Sequence, residues 1–160
     1  MRGFARRSTV EDVLAWLDPQ LAPLDSQHVP LDEAAGRVLA ESVVSGYDVP
    51  SFSRAMMDGY ALQAADTLGA SPYNRLPLAV IGEVLPGRSF EGRVGAGQAV
   101  RIMTGAPLPP GADAVLPAEK VEIDREQLYA QAEVSPGKHV GRPGEDIARG
   151  TTVLHEEVVG

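Results

Sequence analysis

Apolar positions near the start of the chain recur at helical spacing, with Val10, Val13, Leu14 and Leu17 on one face. Ser8-Thr9-Val10-Glu11 in front of them reads as a capping box, a hydroxyl and a carboxylate three residues apart that satisfy the first free amides. Pro19 closes the segment, because its ring cannot continue the helical ladder. The stripe of this short amphipathic helix must be buried, against this chain or against a partner. Residues 29–40 predict a second, shorter helical turn, with Asp32 as cap and Gly36 as terminator. Residues 37–44 are rich in β-branched side chains and read as extended.

After Pro50 the pattern changes. Clusters of glycine and proline separate short β-prone runs at 76–84, 98–103 and 113–116. Residues 121–123 and 128–134 predict the two arms of a hairpin around Asp124-Arg125-Glu126. In the second arm Leu128, Ala130, Ala132 and Val134 alternate with Tyr129, Gln131 and Glu133, the signature of a half-buried strand. The expected fold is mainly β with short N-terminal helices (α+β), a small β-barrel-like lobe inserted into a mixed helical and extended lobe. In residues, this gives a helical segment over 1–28, a discontinuous first lobe over 29–49 and 147–160, and the inserted β lobe over 50–146. The tail carries Thr152, Val153, Val158 and Val159 without a stop signal, so the full protein is expected to continue beyond it.

Composition narrows the function classes. A chain of 160 residues buries roughly 70% of its unfolded surface, enough for an ordinary core. With only 5% aromatic residues, that core is built from Val, Leu, Ile and Ala. A formal net charge of -8 opposes binding to nucleic acid or to an anionic membrane. It does not oppose a small anion held by local cations or a metal. The absence of cysteine removes disulfides, thiolate metal sites and thiol catalysis. Arg2, Arg6 and Arg7 could begin a signal peptide, but Glu11, Asp12 and Asp18 occupy the stretch that would have to be apolar. No apolar run approaches membrane-spanning length, and the cytoplasm is the expected compartment.

Three loops carry candidate chemistry. Asp58-Gly59 is a hairpin signal, glycine supplying the positive φ of a tight turn. Its apolar frame of Met56, Met57, Tyr60 and Ala61 would also hold the carboxylate still enough to bind Mg²⁺ or orient a water. Thr104-Gly105 precedes Pro107, Pro109 and Pro110, a stiff loop that either only caps a turn or presents the Thr104 hydroxyl and Gly105 amide to an anion. Pro143-Gly144 projects Glu145 and Asp146 at a loop tip, solvated acids unless they converge with Asp58 on a cation. Arg54, Arg101 and Arg142 are the best local cations for an anionic ligand. Glu119-Lys120 reads as a surface pair worth under about 1 kcal/mol. His28, His139 and His155 show no ligand spacing and read as surface residues, with His139 the nearest to the Asp146 loop.

Read together, these stretches resemble the front half of the molybdopterin molybdenumtransferases, the MoeA/gephyrin family. The matching segments occur in the family's order: Pro50 into Met57-Asp58-Gly59-Tyr60-Ala61, then Arg101-Ile102-Met103-Thr104-Gly105-Ala106-Pro107, then Gly144-Glu145-Asp146-Ile147. Ala34-Ala35-Gly36-Arg37-Val38-Leu39-Ala40 also looks like a family segment. The resemblance implies insertion of molybdate into adenylylated molybdopterin with release of AMP, assisted by Mg²⁺. It implies a homodimer, and a pterin-binding domain of the same protein that this chain lacks. Carried over by position, Asp58, Thr104 and Asp146 are the catalytic matches, with Asp58 and Asp146 toward the metal. Gly59, Gly105, Arg142 and Glu145 are the expected substrate contacts. Two departures stand out: Ser53-Arg54-Ala55 where Asp-Asn-Ser is common, and Gly141 where an arginine often stands, with Arg142 beside it as a possible substitute. The competing readings are a non-enzymatic scaffold or dimerisation module and a stand-alone anion-binding β domain.

Overall fold

The computed structural model describes residues 8–22, 24–125 and 127–156. Arg2, Arg6, Arg7, Glu126, Val158 and Val159 lie outside the described residues. The chain divides into two compact units, Ser42–His155 and a smaller one formed by the chain up to Glu41 and from Glu156.

In the smaller unit, helix α1 spans Val10–Leu17. Its capping box sits one residue later than the sequence pattern indicates. The Thr9 hydroxyl accepts from the Asp12 amide at 3.1 Å, and the Thr9 amide donates to the Asp12 carboxylate at 3.0 Å. Ser8/Glu11 and Thr9/Asp12 both satisfy the spacing, and the side chain at the last non-helical residue is the one that caps. No residue of α1 is buried, and Val10 and Leu14 are 71% and 53% exposed. The second helical turn is reduced to a 3₁₀ turn at Leu31–Glu33. Asp32 does not cap it: the turn starts behind Pro30, with no side-chain cap.

The larger unit begins and ends with β1 (Val43–Val44) and β10 (Thr152–Leu154), paired antiparallel. Of the extended stretch expected over 37–44, only these last two residues form a strand, because only they meet a partner. Between them lies a curled six-stranded half-barrel built from β3 (Gly59–Leu62), β4 (Leu76–Val84), β5 (Gln98–Ile102), β6 (Ala114–Pro117), β7 (Val121–Asp124) and β8 (Gln127–Ala130). Their order is β6-β3-β5-β4-β8-β7. All neighbours are antiparallel except β4 and β5. A parallel pair needs a crossover, and residues 85–97 supply it.

β3 lies between β5 and β6 and is buried at every residue. Its side chains alternate between two cores, as a strand period of two requires. Tyr60 and Leu62 join Leu78, Leu116 and Leu128 on one face, while Ala61 joins Val100, Ile102 and Val115 on the other. The β7–β8 hairpin forms at the expected place, but its second arm ends at Ala130 rather than Val134. Beyond Ala130 the backbone leaves the ladder, and Val134 is instead bound through its amide to the buried Thr67 hydroxyl at 3.0 Å.

Two short strands complete the unit, β2 (Arg54–Ala55) and β9 (Val140–Gly141). They pair antiparallel, Arg54 opposite Gly141 and Ala55 opposite Val140. No described helix is long and apolar enough to cross a membrane.

Candidate functional site

Although β2 is two residues long, it joins the three chemistry-bearing loops. On one side it pairs with β9, which leads into the Glu145-Asp146 loop. On its other side the Ala55 amide donates to Ala106 O at 2.9 Å, the Gly105 amide to Ala55 O at 2.8 Å, and the Leu108 amide to Ser53 O at 2.9 Å. Prolines 107, 109 and 110 have no amide hydrogen, so this loop attaches through the few donors left between them. The Gly105 amide is therefore spent on Ala55 rather than open to an anion. What glycine contributes there is its φ of +83°, in the left-handed region that other residues enter at a cost.

At the other end of β2 the chain reaches Asp58. Its Oδ1 accepts from the Thr104 amide at 2.8 Å and from the Thr104 hydroxyl at 2.6 Å. Two residues that the sequence singles out in separate loops thus meet directly, across 46 positions of chain. Thr104 holds the Asp58 carboxyl below the usual aspartate range, through its hydroxyl first and its amide second, with a further contribution from the Arg101 charge. Both atoms are near solvent, and Oδ2 carries no hydrogen bond among the described residues. Arg101 itself pairs with Glu83, Nε to Oε1 at 3.5 Å.

The lowered value has a testable consequence. The folded chain holds the Asp58 proton less tightly than the unfolded chain. The Thr104 bonds therefore contribute stability that is complete above the ordinary aspartate range and is lost as pH falls through the lowered value. Thr104→Val removes the first cause and keeps the second. Carboxyl-carbon NMR titration is expected to show the Asp58 midpoint moving up toward that of an unperturbed aspartate, and an unmoved midpoint would remove the hydroxyl from the account.

Asp58-Gly59 is not a hairpin turn. Gly59 opens β3 without a positive φ and is buried. A Cβ there would run into the Leu116 carbonyl of the neighbouring strand and stand 3.0 Å from Pro117 Cα. Glycine is needed at 59 for close strand approach, so its role here is steric.

The third loop is docked on Val49-Pro50: the Gly144 amide donates to Pro50 O at 2.8 Å and the Asp146 amide to Val49 O at 2.9 Å. Glu145 turns inward on its own loop, its Oε2 accepting from the Arg142 amide at 3.2 Å. Asp146 points elsewhere, to Arg54, with Nη2 to Oδ2 at 3.4 Å. Gly141, at a place where the family resemblance leads to the expectation of an arginine, is buried, and a Cβ there would lie 2.8 Å from Met56 Sδ, 2.9 Å from Glu145 Oε2 and 3.2 Å from Arg54 Cγ. Its cross-strand partner is Arg54, the residue whose guanidinium reaches Asp146. The Nε of Arg54 is buried without a hydrogen-bond acceptor.

Asp58, Glu145 and Asp146, whose convergence the sequence leaves open, each have a different partner. Asp58 is engaged by Thr104, Asp146 by Arg54 and Glu145 by a backbone amide. Among the described residues no group of three or more His, Asp or Glu side chains is placed to hold a metal ion. The organising role of Ser53–Ala55 was missed in the sequence, because a two-residue strand leaves no periodicity to read.

Residues 8–159 match the family described as MoeA N-terminal region (domain I and II). The chain is 44% identical over 127 residues to molybdopterin molybdenumtransferase 2 of Mycobacterium tuberculosis, covering 79% of this chain and 31% of that protein. It is 33% identical over 148 residues to a molybdopterin molybdenumtransferase of Staphylococcus epidermidis, covering 92% and 35%. Among solved structures, a molybdopterin biosynthesis moeA protein from Pyrococcus horikoshii OT3 superposes with a TM-score of 0.78 at 42% identity, covering 82% of this chain and 35% of that one. The chain thus spans about a third of the length of these relatives.

Proposed function

This chain belongs to the MoeA N-terminal family, and we propose that it forms one wall of a cleft in which molybdate is inserted into adenylylated molybdopterin with release of AMP. The observation that carries this reading is the Asp58–Thr104 pair, a carboxylate held by two donors at a loop end with one oxygen free. Such a group keeps its charge and its direction when a substrate arrives.

Each residue has a task in the proposal. Asp58 offers Oδ2 to a water or a cation while Thr104 holds Oδ1. Asp146 supplies a second carboxylate, and Arg54 holds it in place. Mg²⁺ would not need every acid at once: it prefers one or two carboxylates and completes its shell with waters and substrate phosphate. Asp58 and Asp146 would hold it, and when bound it would neutralise phosphate charge. Gly59 and Gly105 act through backbone packing in this reading, and Arg142 and Glu145 shape the loop that carries Asp146.

A chain with net charge -8 is a poor sole host for several anions. The basic wall of the cleft therefore belongs to a pterin-binding domain of the same protein, acting in the cytoplasm as a homodimer. The exposed stripe Val10, Val13 and Leu14 supports a share for this chain in subunit contacts.

The test uses the full-length protein. Asp146→Asn is expected to raise the Mg²⁺ concentration for half-maximal insertion by about tenfold, the loss of one charged ligand. An unchanged Mg²⁺ dependence would remove Asp146 from the cation site.

A further inference from the structure

Asp58-Gly59 is the one aspartyl-glycine step in the chain, and no asparaginyl-glycine step accompanies it. Such a step is chemically weak in a flexible chain, because the next main-chain nitrogen can attack the side-chain carboxyl within the same molecule. Glycine makes the attack easiest, having no side chain to shield its amide or to restrict the rotation that brings the groups together. Residue 59 cannot change to remove the weakness, since a Cβ there runs into the Leu116 carbonyl. Close strand approach therefore fixes a labile dipeptide at the start of the central strand.

The fold holds both reacting groups apart. The Asp58 carboxyl is bound through Oδ1 by the Thr104 amide at 2.8 Å and the Thr104 hydroxyl at 2.6 Å. The main-chain carbonyl of Asp58 accepts from the Ala118 amide at 3.1 Å, which fixes the peptide unit that carries the Gly59 nitrogen. Gly59 itself is buried and paired with Ile102 on one side and Pro117 on the other. To close a five-membered ring, the carboxyl must swing over that nitrogen while the peptide unit rotates to meet it. The first motion breaks both Thr104 bonds, and the second breaks the Ala118 bond.

We propose that Asp58 is a latent isoaspartate site, closed in the folded protein by Thr104 and Ala118 and open whenever β3 leaves the sheet. In the open state the Gly59 nitrogen bonds to Asp58 Cγ and a carboxyl C–O bond breaks. The displaced oxygen leaves as water, with the amide proton and the carboxyl proton. Water then adds to the main-chain carbonyl carbon of Asp58, and the bond from that carbon to the Gly59 nitrogen breaks. Nothing is oxidised or reduced, and the mass returns to its starting value. The chain now runs through the side chain with one extra methylene, which puts β3 out of step with β5 and β6 and moves the carboxylate. The site needs only the clamp on Asp58 and holds whether or not the carboxylate binds a cation.

The experiment ages the full-length protein at mildly acid pH, folded in buffer and unfolded in urea, and maps the tryptic peptide over residues 55–75. Isoaspartate is read from its shifted retention and from electron-transfer fragments that place the extra methylene at residue 58. Isomerisation in urea is expected to be about a hundredfold faster than in buffer, the effect of two charge-assisted hydrogen bonds. Thr104→Val removes one of those bonds and should raise the rate in buffer about tenfold, in a sample that circular dichroism shows to be folded. Thr104→Ser keeps the hydroxyl and should keep the parent rate. Equal rates in buffer and urea for the parent protein would overturn the proposal without recourse to any variant. A folded Thr104→Val protein that ages no faster than the parent would overturn the part assigned to the hydroxyl.

Discussion

Gly59→Ala is expected to destabilise the Ser42–His155 unit by on the order of 3–4 kcal/mol, at the high end for a single added methyl group. The position is buried between two antiparallel neighbours, paired with Ile102 on β5 and Pro117 on β6. The added Cβ meets main-chain atoms of Leu116 and Pro117, not a side chain that could rotate away. Relief requires β3 and β6 to separate, which would break the ladder that buries Leu62, Val115 and Leu116. A loss of this size is a large fraction of the 5–15 kcal/mol, or roughly that, which holds a domain folded. Urea denaturation followed by circular dichroism reads it as a lowered midpoint. Gly105→Ala is the matched control: its Cβ would find nothing within 4 Å, and it carries only the cost of the left-handed φ, about 1 kcal/mol. Equal midpoints for the two variants would refute the steric role of Gly59.

Asp58→Asn in the full-length protein is expected to lower molybdenum insertion by about a hundredfold with little change in melting temperature. The amide oxygen of asparagine can accept from the same two Thr104 donors that Oδ1 serves at 2.8 and 2.6 Å, so the loop keeps its shape. What disappears is the negative charge, which Thr104 and Arg101 favour in the folded state. Insertion rate and melting temperature measured on one preparation separate the outcomes. A variant that retains activity would remove Asp58 from the chemistry. One that loses activity and melting temperature together would make the residue architectural.

The two predictions draw on neighbouring residues that the sequence presents as a single dipeptide. Asp58-Gly59 looks like a turn because aspartate and glycine are the residues a tight turn uses. Gly59 instead begins the central strand, and its need for glycine arises from β6, more than fifty positions downstream. The Gly141 difference has the same origin. A side chain there would meet Met56, Glu145 and Arg54, and that crowding is visible only once β2 and β9 are known to pair. The capping box shows a smaller ambiguity, since two overlapping pairs satisfy one spacing rule and only the helix start decides between them.

By itself the sequence determined the mainly β character of the chain, the span of β4, the place of the β7–β8 hairpin, the helix at Val10–Leu17 and the family. These are local properties: alternation, helical spacing and contiguous motifs record whether a residue faces a core, and each is written within a few positions. Tertiary structure alone decided the parallel pairing of β4 with β5, the contact of Thr104 with Asp58, and the contact of Arg54 with Asp146 across 92 positions. A hydrophobic pattern states that a strand is covered but not by which strand. A polar side chain in a loop has no period from which its partner could be read, so those contacts exist only once the sheet has brought distant loops together.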